Sequence, residues 1–199
     1  MEFKIKMKYL ALGDSYTIGE LVNYSDNFPS QLVAILNKKG IEVTLDKLIA
    51  VTGWTTDELS MAIAKEKPSL DYDIVTLLIG VNNQYRGRSI EEYEWQFYSL
   101  LCQAILYAKG VAEHVIVLSI PDWGLTPFNT ERDKIDTSKQ IDSFNKINKE
   151  ITLSLGCKYI DVTSSTREHA TNEIYLAEDK LHYSKEEYTL WAEKIALLF

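Results

Sequence analysis

The sequence predicts an α/β fold: a three-layer α/β/α sandwich on a five-stranded parallel sheet. Three observations lead there. Five short apolar, β-branched runs recur along the chain, most of them nearly continuous in hydrophobicity, as strands covered on both faces are. Helical patterns separate these runs, so the order is β-α-β-α throughout, and right-handed crossovers turn such an order into parallel neighbours. The chain has 199 residues, 46% of them hydrophobic and 25% charged. That is enough for one well-filled core, so a single domain over residues 1–199 is expected.

The strands are expected at Lys8 to Gly13, Val43 to Val51, Asp73 to Gly80, His114 to Ile120 and Lys158 to Val162. Ahead of the first, Met1 to Lys8 alternates apolar and charged residues, which reads as further strand. It lacks the unbroken apolar region of a secretion signal, so a cytoplasmic location is expected, although an exported protein with its leader removed reads the same. Helix starts are marked by Thr55 with Glu58, Ser89 with Glu92 and Ser184 with Glu187, each matching the capping box. Gly40 and Gly110 mark helix ends, as does Pro68. Ile141, Phe144, Ile151 and Leu155 give one helix its apolar stripe, and Tyr188, Trp191, Ile195 and Leu198 give the last helix another. Two stretches, Pro121 to Asp136 and Thr163 to His182, read as long irregular loops, and long loops in a compact domain usually carry function.

Several function classes are disfavoured. The formal net charge of -8 opposes tight binding to nucleic acid or anionic membranes, which requires clustered Lys and Arg. No stretch approaches the roughly 18 apolar residues of a membrane span. Cys102 and Cys157 stand alone in sequence, without zinc-ligand spacing or a disulfide framework, and read as buried free thiols.

In parallel sheets, sites form at the carboxyl ends of the strands. There the sequence places Gly13-Asp14-Ser15-Tyr16-Thr17, Thr52-Gly53-Trp54, Gly80-Val81-Asn82-Asn83 and, closing the segment after the fifth strand, Asp179-Lys180-Leu181-His182. A serine hydroxyl needs an adjacent base to become a nucleophile at neutral pH, and a neutral imidazole serves. Ser15 is the candidate nucleophile and His182 the candidate base. Asp179, three residues before the histidine, can hold one ring nitrogen and leave the other for the serine. The backbone amides of Ser15 and Gly53 and the side-chain amide of Asn82 are the candidate oxyanion donors.

Each residue has a plainer alternative. Ser15 can be a helix cap, Asn82 a turn former, and Asp179 with His182 a surface pair ahead of the last helix. His114 and His169 compete as base, but His114 begins a strand on the opposite rim and His169 has Thr166 where the acid would stand. Asp161 is the rival orienting acid.

These segments resemble the conserved blocks of the GDSL, or SGNH, hydrolase family, and the likeness spans nearly the whole chain. Tyr16 stands where that family's first block has leucine, and Asn83 where its third block has aspartate; neither departure removes a catalytic atom. The resemblance implies a flavodoxin-like sandwich and a serine hydrolase acting on a small-molecule carboxylic ester or thioester, with no metal or organic cofactor. The Gly-x-Ser-x-Gly elbow of α/β-hydrolases is absent, because Thr17 takes its last position. A different class, a phosphate- or flavin mononucleotide-binding module using Ser15 to Gly19 as its cradle, explains fewer residues: it leaves Asn82, Asp179 and His182 unused, and Glu20 stands where a Walker A loop has lysine. Trp54, Tyr85 and Trp123, together with Phe128 and Tyr183, are candidate substrate-binding aromatics. Arg86 and Arg88 are candidates for an anionic substrate group, and Pro121 to Asp136 for a wall over the acyl pocket.

Overall fold

The computed structural model describes residues 6–199; the expected strand character of residues 1–5 lies outside the described residues. Among the described residues the strands are β1 (Met7–Gly13), β2 (Val43–Ala50), β3 (Ile74–Leu78), β4 (Val115–Leu118) and β5 (Lys158–Ile160). All pair in parallel, in the order β2-β1-β3-β4-β5. The three inner strands carry the continuous apolar runs. Leu10, Ala11, Leu12, Ile74, Val75, Leu77, Val115 and Val117 are all fully buried, as strands with helices on both faces require. The edge strands β2 and β5 are only partly buried.

Among the described residues, eight α-helices complete the layers: α1 (Ser15–Ile18), α2 (Phe28–Lys38), α3 (Thr56–Glu66), α4 (Val81–Tyr85), α5 (Ile90–Tyr107), α6 (Lys134–Ser154), α7 (Thr163–Glu168) and α8 (Lys185–Ala196). On one side of the sheet α2 packs on α8, with α7 beside them; on the other, α5 packs on α3 and α6. The order of strands reverses between β1 and β3, and parallel sheets open a crevice at such a switch point. Register makes that crevice level. Gly13 at the end of β1 lies beside Ala50 of β2 and Leu78 of β3, so three chains leave the sheet at one height.

The helix signals were met unevenly. Glu58 accepts from the Thr55 amide at 2.9 Å, and Ser89 Oγ accepts from the Glu92 amide at 3.1 Å. Only the serine half of the second box forms, because the Glu92 carboxylate accepts from Arg88 and Gln96. The third does not form: Ser184 Oγ accepts from the Glu186 amide at 3.2 Å, while the Glu187 carboxylate turns into the core. α2 and α5 end before Gly40 and Gly110, both at positive φ, and α3 ends before Pro68. The stretch expected to be irregular after β5 contains α7, and α6 begins at Lys134, ahead of its apolar stripe. Leu198 lies past the end of α8. Cys157 is buried, which pushes its thiol up to about 11, but Cys102 is only half-buried.

Gly80, the residue before α4, sits at φ +127°, and a Cβ there would lie 2.5 Å from the ring of Tyr93. That ring is fully buried and held by its hydroxyl, which donates to the Ile79 carbonyl at 3.1 Å. Gly80→Ala is therefore expected to cost about 2 kcal/mol or more. Urea unfolding checks this, and a loss below about 0.5 kcal/mol would show that the β3–α4 turn relaxes freely.

Candidate active site

β1 delivers its last residues into the crevice. Asp14, fully buried, is the cap of α1: its Oδ1 accepts from the Tyr16 amide at 3.0 Å. Ser15 is the first residue of the helix, so capping falls to its neighbour and the hydroxyl is not consumed by that role. α1 is only four residues long and its N-terminus already holds a carboxylate, so Ser15 to Gly19 is not an open phosphate cradle. Burial pushes the Asp14 carboxyl up to about 7 against the pull of its amide hydrogen bonds, and its Oδ2 has no hydrogen-bond partner among the described residues.

At the other end of the chain, Asp179, Leu181 and His182 form a tight turn. Asp179 Oδ1 accepts from the Leu181 amide at 3.0 Å and the His182 amide at 2.9 Å, while Oδ2 lies 2.6 Å from His182 Nδ1. Lys180 adopts φ +59° within it, a left-handed conformation that costs energy for a lysine and shortens the turn. One carboxylate thus folds the loop and holds the ring, which is the physical content of the three-residue spacing. Partial burial opposes the charge on Asp179, but these amides and the imidazole outweigh it and hold the carboxyl below its usual value.

Tyr16 joins the two ends. Its ring centroid lies 5.5 Å from that of His182, 5.5 Å from Tyr183 and 6.4 Å from Trp191 of α8. Ser15, Gly53, Asn82 and His182 consequently line one pocket of about 190 Å³, together with Tyr85, Trp123, Phe128 and Leu181. Gly53 holds φ +84°, a backbone conformation open to glycine, and its carbonyl accepts from Arg86 Nη2 at 2.6 Å. Asn82 Nδ2 donates to the Trp54 carbonyl at 3.0 Å, which fixes the amide's orientation and leaves a second N–H for the pocket.

Asn83, where the resembling family has aspartate, is fully buried away from the pocket. Its Oδ1 accepts from the Thr56 amide at 3.1 Å and its Nδ2 donates to Thr56 Oγ1 at 2.7 Å, tying α4 to the start of α3. Thr56 Oγ1 donates in turn to Gln96. An aspartate would accept from that hydroxyl, so the amide at 83 and the carbonyl of Gln96 form a matched pair.

Other expected residues fall outside the pocket. The Trp54 ring lines a separate groove between β2 and α3, because the turn after Gly53 offers Asn82 its carbonyl and sends the side chain sideways. Tyr183 is fully buried in the cluster around Trp191. Arg86 and Arg88 are engaged by Glu58, Asp57 and Glu92. Asp161 accepts from the Ser164 amide at 3.1 Å at the start of α7, far from a role on His182, whose Nδ1 is taken by Asp179. Among the described residues no group of three or more His, Cys, Asp or Glu side chains is arranged for a metal ion, and no helix is long and apolar enough to cross a membrane.

Residues 11–190 match the GDSL-like lipase/acylhydrolase family. The chain belongs to that family. Membership makes it an ester-hydrolysing enzyme. The fold is similar to a lipase/acylhydrolase from Enterococcus faecalis, at 22% identity and a TM-score of 0.73, covering 96% of this chain and 94% of that one. It is also similar to an acetylxylan esterase from Geobacillus stearothermophilus, at 18% identity and 0.73 over 100% and 96% of the two chains. A third likeness is to TesA, at 16% identity and 0.72 over 96% and 97%. No curated protein sequence matches the chain.

One arrangement in this acylhydrolase had no sequence signal. His169 Nδ1 lies 2.7 Å from Glu187 Oε2, and Glu187 Oε1 accepts from Trp191 Nε1 at 2.9 Å. The His169 ring also stacks on Tyr175, 3.7 Å between centroids. This second histidine–carboxylate pair staples the segment before Asp179 to α8; its acid lies downstream of the histidine, on another element, so local spacing does not reveal it.

Asp14 gives a pH signature. Its folded pKa lies above the ordinary carboxylate value, so its stabilising contribution is complete below about pH 4 and lost as pH rises through about 7. Asp14→Asn keeps the acceptor for Tyr16 and removes the buried charge. Its melting temperature relative to wild type should therefore climb between pH 5 and pH 8; thermal melts showing a constant difference across that range would contradict the burial argument.

Proposed function

We propose that this family member hydrolyses a carboxylic ester or thioester of a small or medium acyl group through an acyl-enzyme on Ser15. The observation that carries the reading is that Ser15 and His182 line one pocket while Asp179 occupies His182 Nδ1 at 2.6 Å. With Nδ1 so engaged, Nε2 is the nitrogen left to take a proton from the serine.

In the first half-reaction Ser15 Oγ attacks the acyl carbon as its proton passes to His182 Nε2. Asp179 steadies the imidazolium that forms. The carbonyl oxygen becomes an oxyanion, for which three donors are at hand. The Ser15 amide, first in α1, has no intrahelical acceptor. The turn at Gly53 uses the Trp54 amide, donating to Val51 at 3.2 Å, and not the glycine's own. Asn82 contributes the N–H that Trp54 does not use. The tetrahedral intermediate collapses, the bond to the leaving oxygen or sulfur breaks, and His182 returns the proton to that leaving group. Water then attacks the acyl-enzyme with His182 again as base, releasing the acid and restoring Ser15.

Ser15→Ala is expected to lower p-nitrophenyl ester hydrolysis by about 10⁴-fold or more without changing the melting curve. Asn82→Ala should lower kcat by about 10²–10³ and leave KM nearly unchanged, since the donor acts on charge that develops in the transition state. Steady-state kinetics on purified variants decide both. Activity surviving in Ser15→Ala removes the nucleophile, and an unchanged kcat in Asn82→Ala removes the amide from the oxyanion site.

A further inference from the structure

The pocket that holds Ser15 and His182 has a neighbour. A second cavity of about 310 Å³ is lined by Tyr85, Trp123 and Phe128 together with Asn129, Thr130, Glu131 and Arg132. The same three aromatic side chains line the first pocket. They are therefore the boundary that the two cavities share, a partition between them. Tyr85 meets Trp123 edge-on at 5.1 Å, and Trp123 meets Phe128 edge-on at 6.3 Å, so the three rings form a continuous row.

The row is braced unequally. Trp123 is almost fully buried, and its indole N–H donates to Gln84 Oε1 at 2.8 Å. Arg132 backs the partition from the second cavity: its guanidinium carbon lies 4.5 Å from the Tyr85 ring centroid and 5.2 Å from that of Trp123, and Nη2 donates to the Tyr85 carbonyl at 2.8 Å. The Phe128 amide donates to the Lys180 carbonyl at 3.3 Å, linking the partition to the turn that carries Asp179 and His182. The Tyr85 and Phe128 side chains, by contrast, stay outside the buried core, with 43% and 41% of their residues exposed.

From this arrangement we infer that Tyr85, Trp123 and Phe128 determine acyl-chain specificity by closing the pocket at short chain length, and that truncating the exposed members admits longer chains into the second cavity. The inference rests on the Ser15 acyl-enzyme reading. At about 190 Å³ the first pocket lies below the roughly 300–1,000 Å³ of sites that take larger ligands, whereas the two cavities joined fall within that range. Away from Ser15, Asn82 and His182 the lining of the first pocket is mostly apolar, through Val81, Leu181 and the aromatic rings, as an acyl methyl or short alkyl group requires. The second is more polar, but the faces of the retained aromatic rings and the stem of Arg132 offer apolar surface to a chain passing between them.

The test is kcat/KM on p-nitrophenyl acetate, butyrate and hexanoate for wild type, Phe128→Ala, Tyr85→Ala and the double variant, with Ser15→Ala as the control. Wild type is expected to favour the acetate. The hexanoate-to-acetate ratio should rise roughly tenfold or more in Phe128→Ala or Tyr85→Ala, because one or two methylenes accommodated or refused are worth that much. Equal wild-type efficiency on acetate and hexanoate, or an unmoved ratio in whichever of these variants fold, overturns the partition. Ester hydrolysis that persists undiminished in Ser15→Ala instead overturns the acyl-enzyme reading, so the two failures are separable.

Discussion

Everything in the candidate site depends on the packing of Tyr16. Its ring packs against His182, Tyr183 and Trp191 in one aromatic cluster, and it is nearly fully buried. Burying such a ring contributes roughly 1.5–3 kcal/mol, and here that energy draws residues separated by almost the whole chain to one rim. The residue next to the candidate nucleophile is thus also the residue against which the candidate base rests. Where the resembling family has leucine, this chain has an aromatic ring that reaches farther into the C-terminal cluster.

The sheet supplies the second constraint. Because β1, β2 and β3 end at one level, Ser15, Gly53 and Asn82 emerge side by side without any long connection. Each is then locked locally: Asp14 caps α1 beneath Ser15, Arg86 holds the Gly53 carbonyl, and Trp54 holds the Asn82 amide. Groups held this way by rigid elements and neighbouring hydrogen bonds are what a preorganised site requires. Asp14 does so at a cost, a buried carboxyl with an unpartnered oxygen one residue from the hydroxyl.

Much of this was legible in the chain. Buried parallel strands write themselves as unbroken apolar runs, so the three inner strands were readable to within a few residues, and the edge strands β2 and β5, only partly buried, were still marked by shorter β-branched runs. Asp179 and His182 were readable because both partners lie on one turn. What was hidden depended on tertiary choice. Ser184 and Glu187 have the spacing of a capping box, yet Glu187 is claimed by His169 and Trp191, partners no local pattern announces. α7, with the sequence Thr-Ser-Ser-Thr-Arg-Glu, has no apolar period to betray a helix. Trp54 and Tyr183 sat at the right places along the chain, but rotamer and burial sent their rings elsewhere. The partition of Tyr85, Trp123 and Phe128 was foreshadowed as scattered aromatics; that they share two cavities is visible only in three dimensions.

The most direct test of the central claim, that His182 activates Ser15 across the joined ends of the chain, is covalent trapping. Intact protein treated with a fluorophosphonate and then digested for peptide mass spectrometry should carry one adduct, on Ser15, formed far more slowly in His182→Ala at equal folded fraction. An adduct on another residue, or the same labelling rate without the imidazole, would contradict the account.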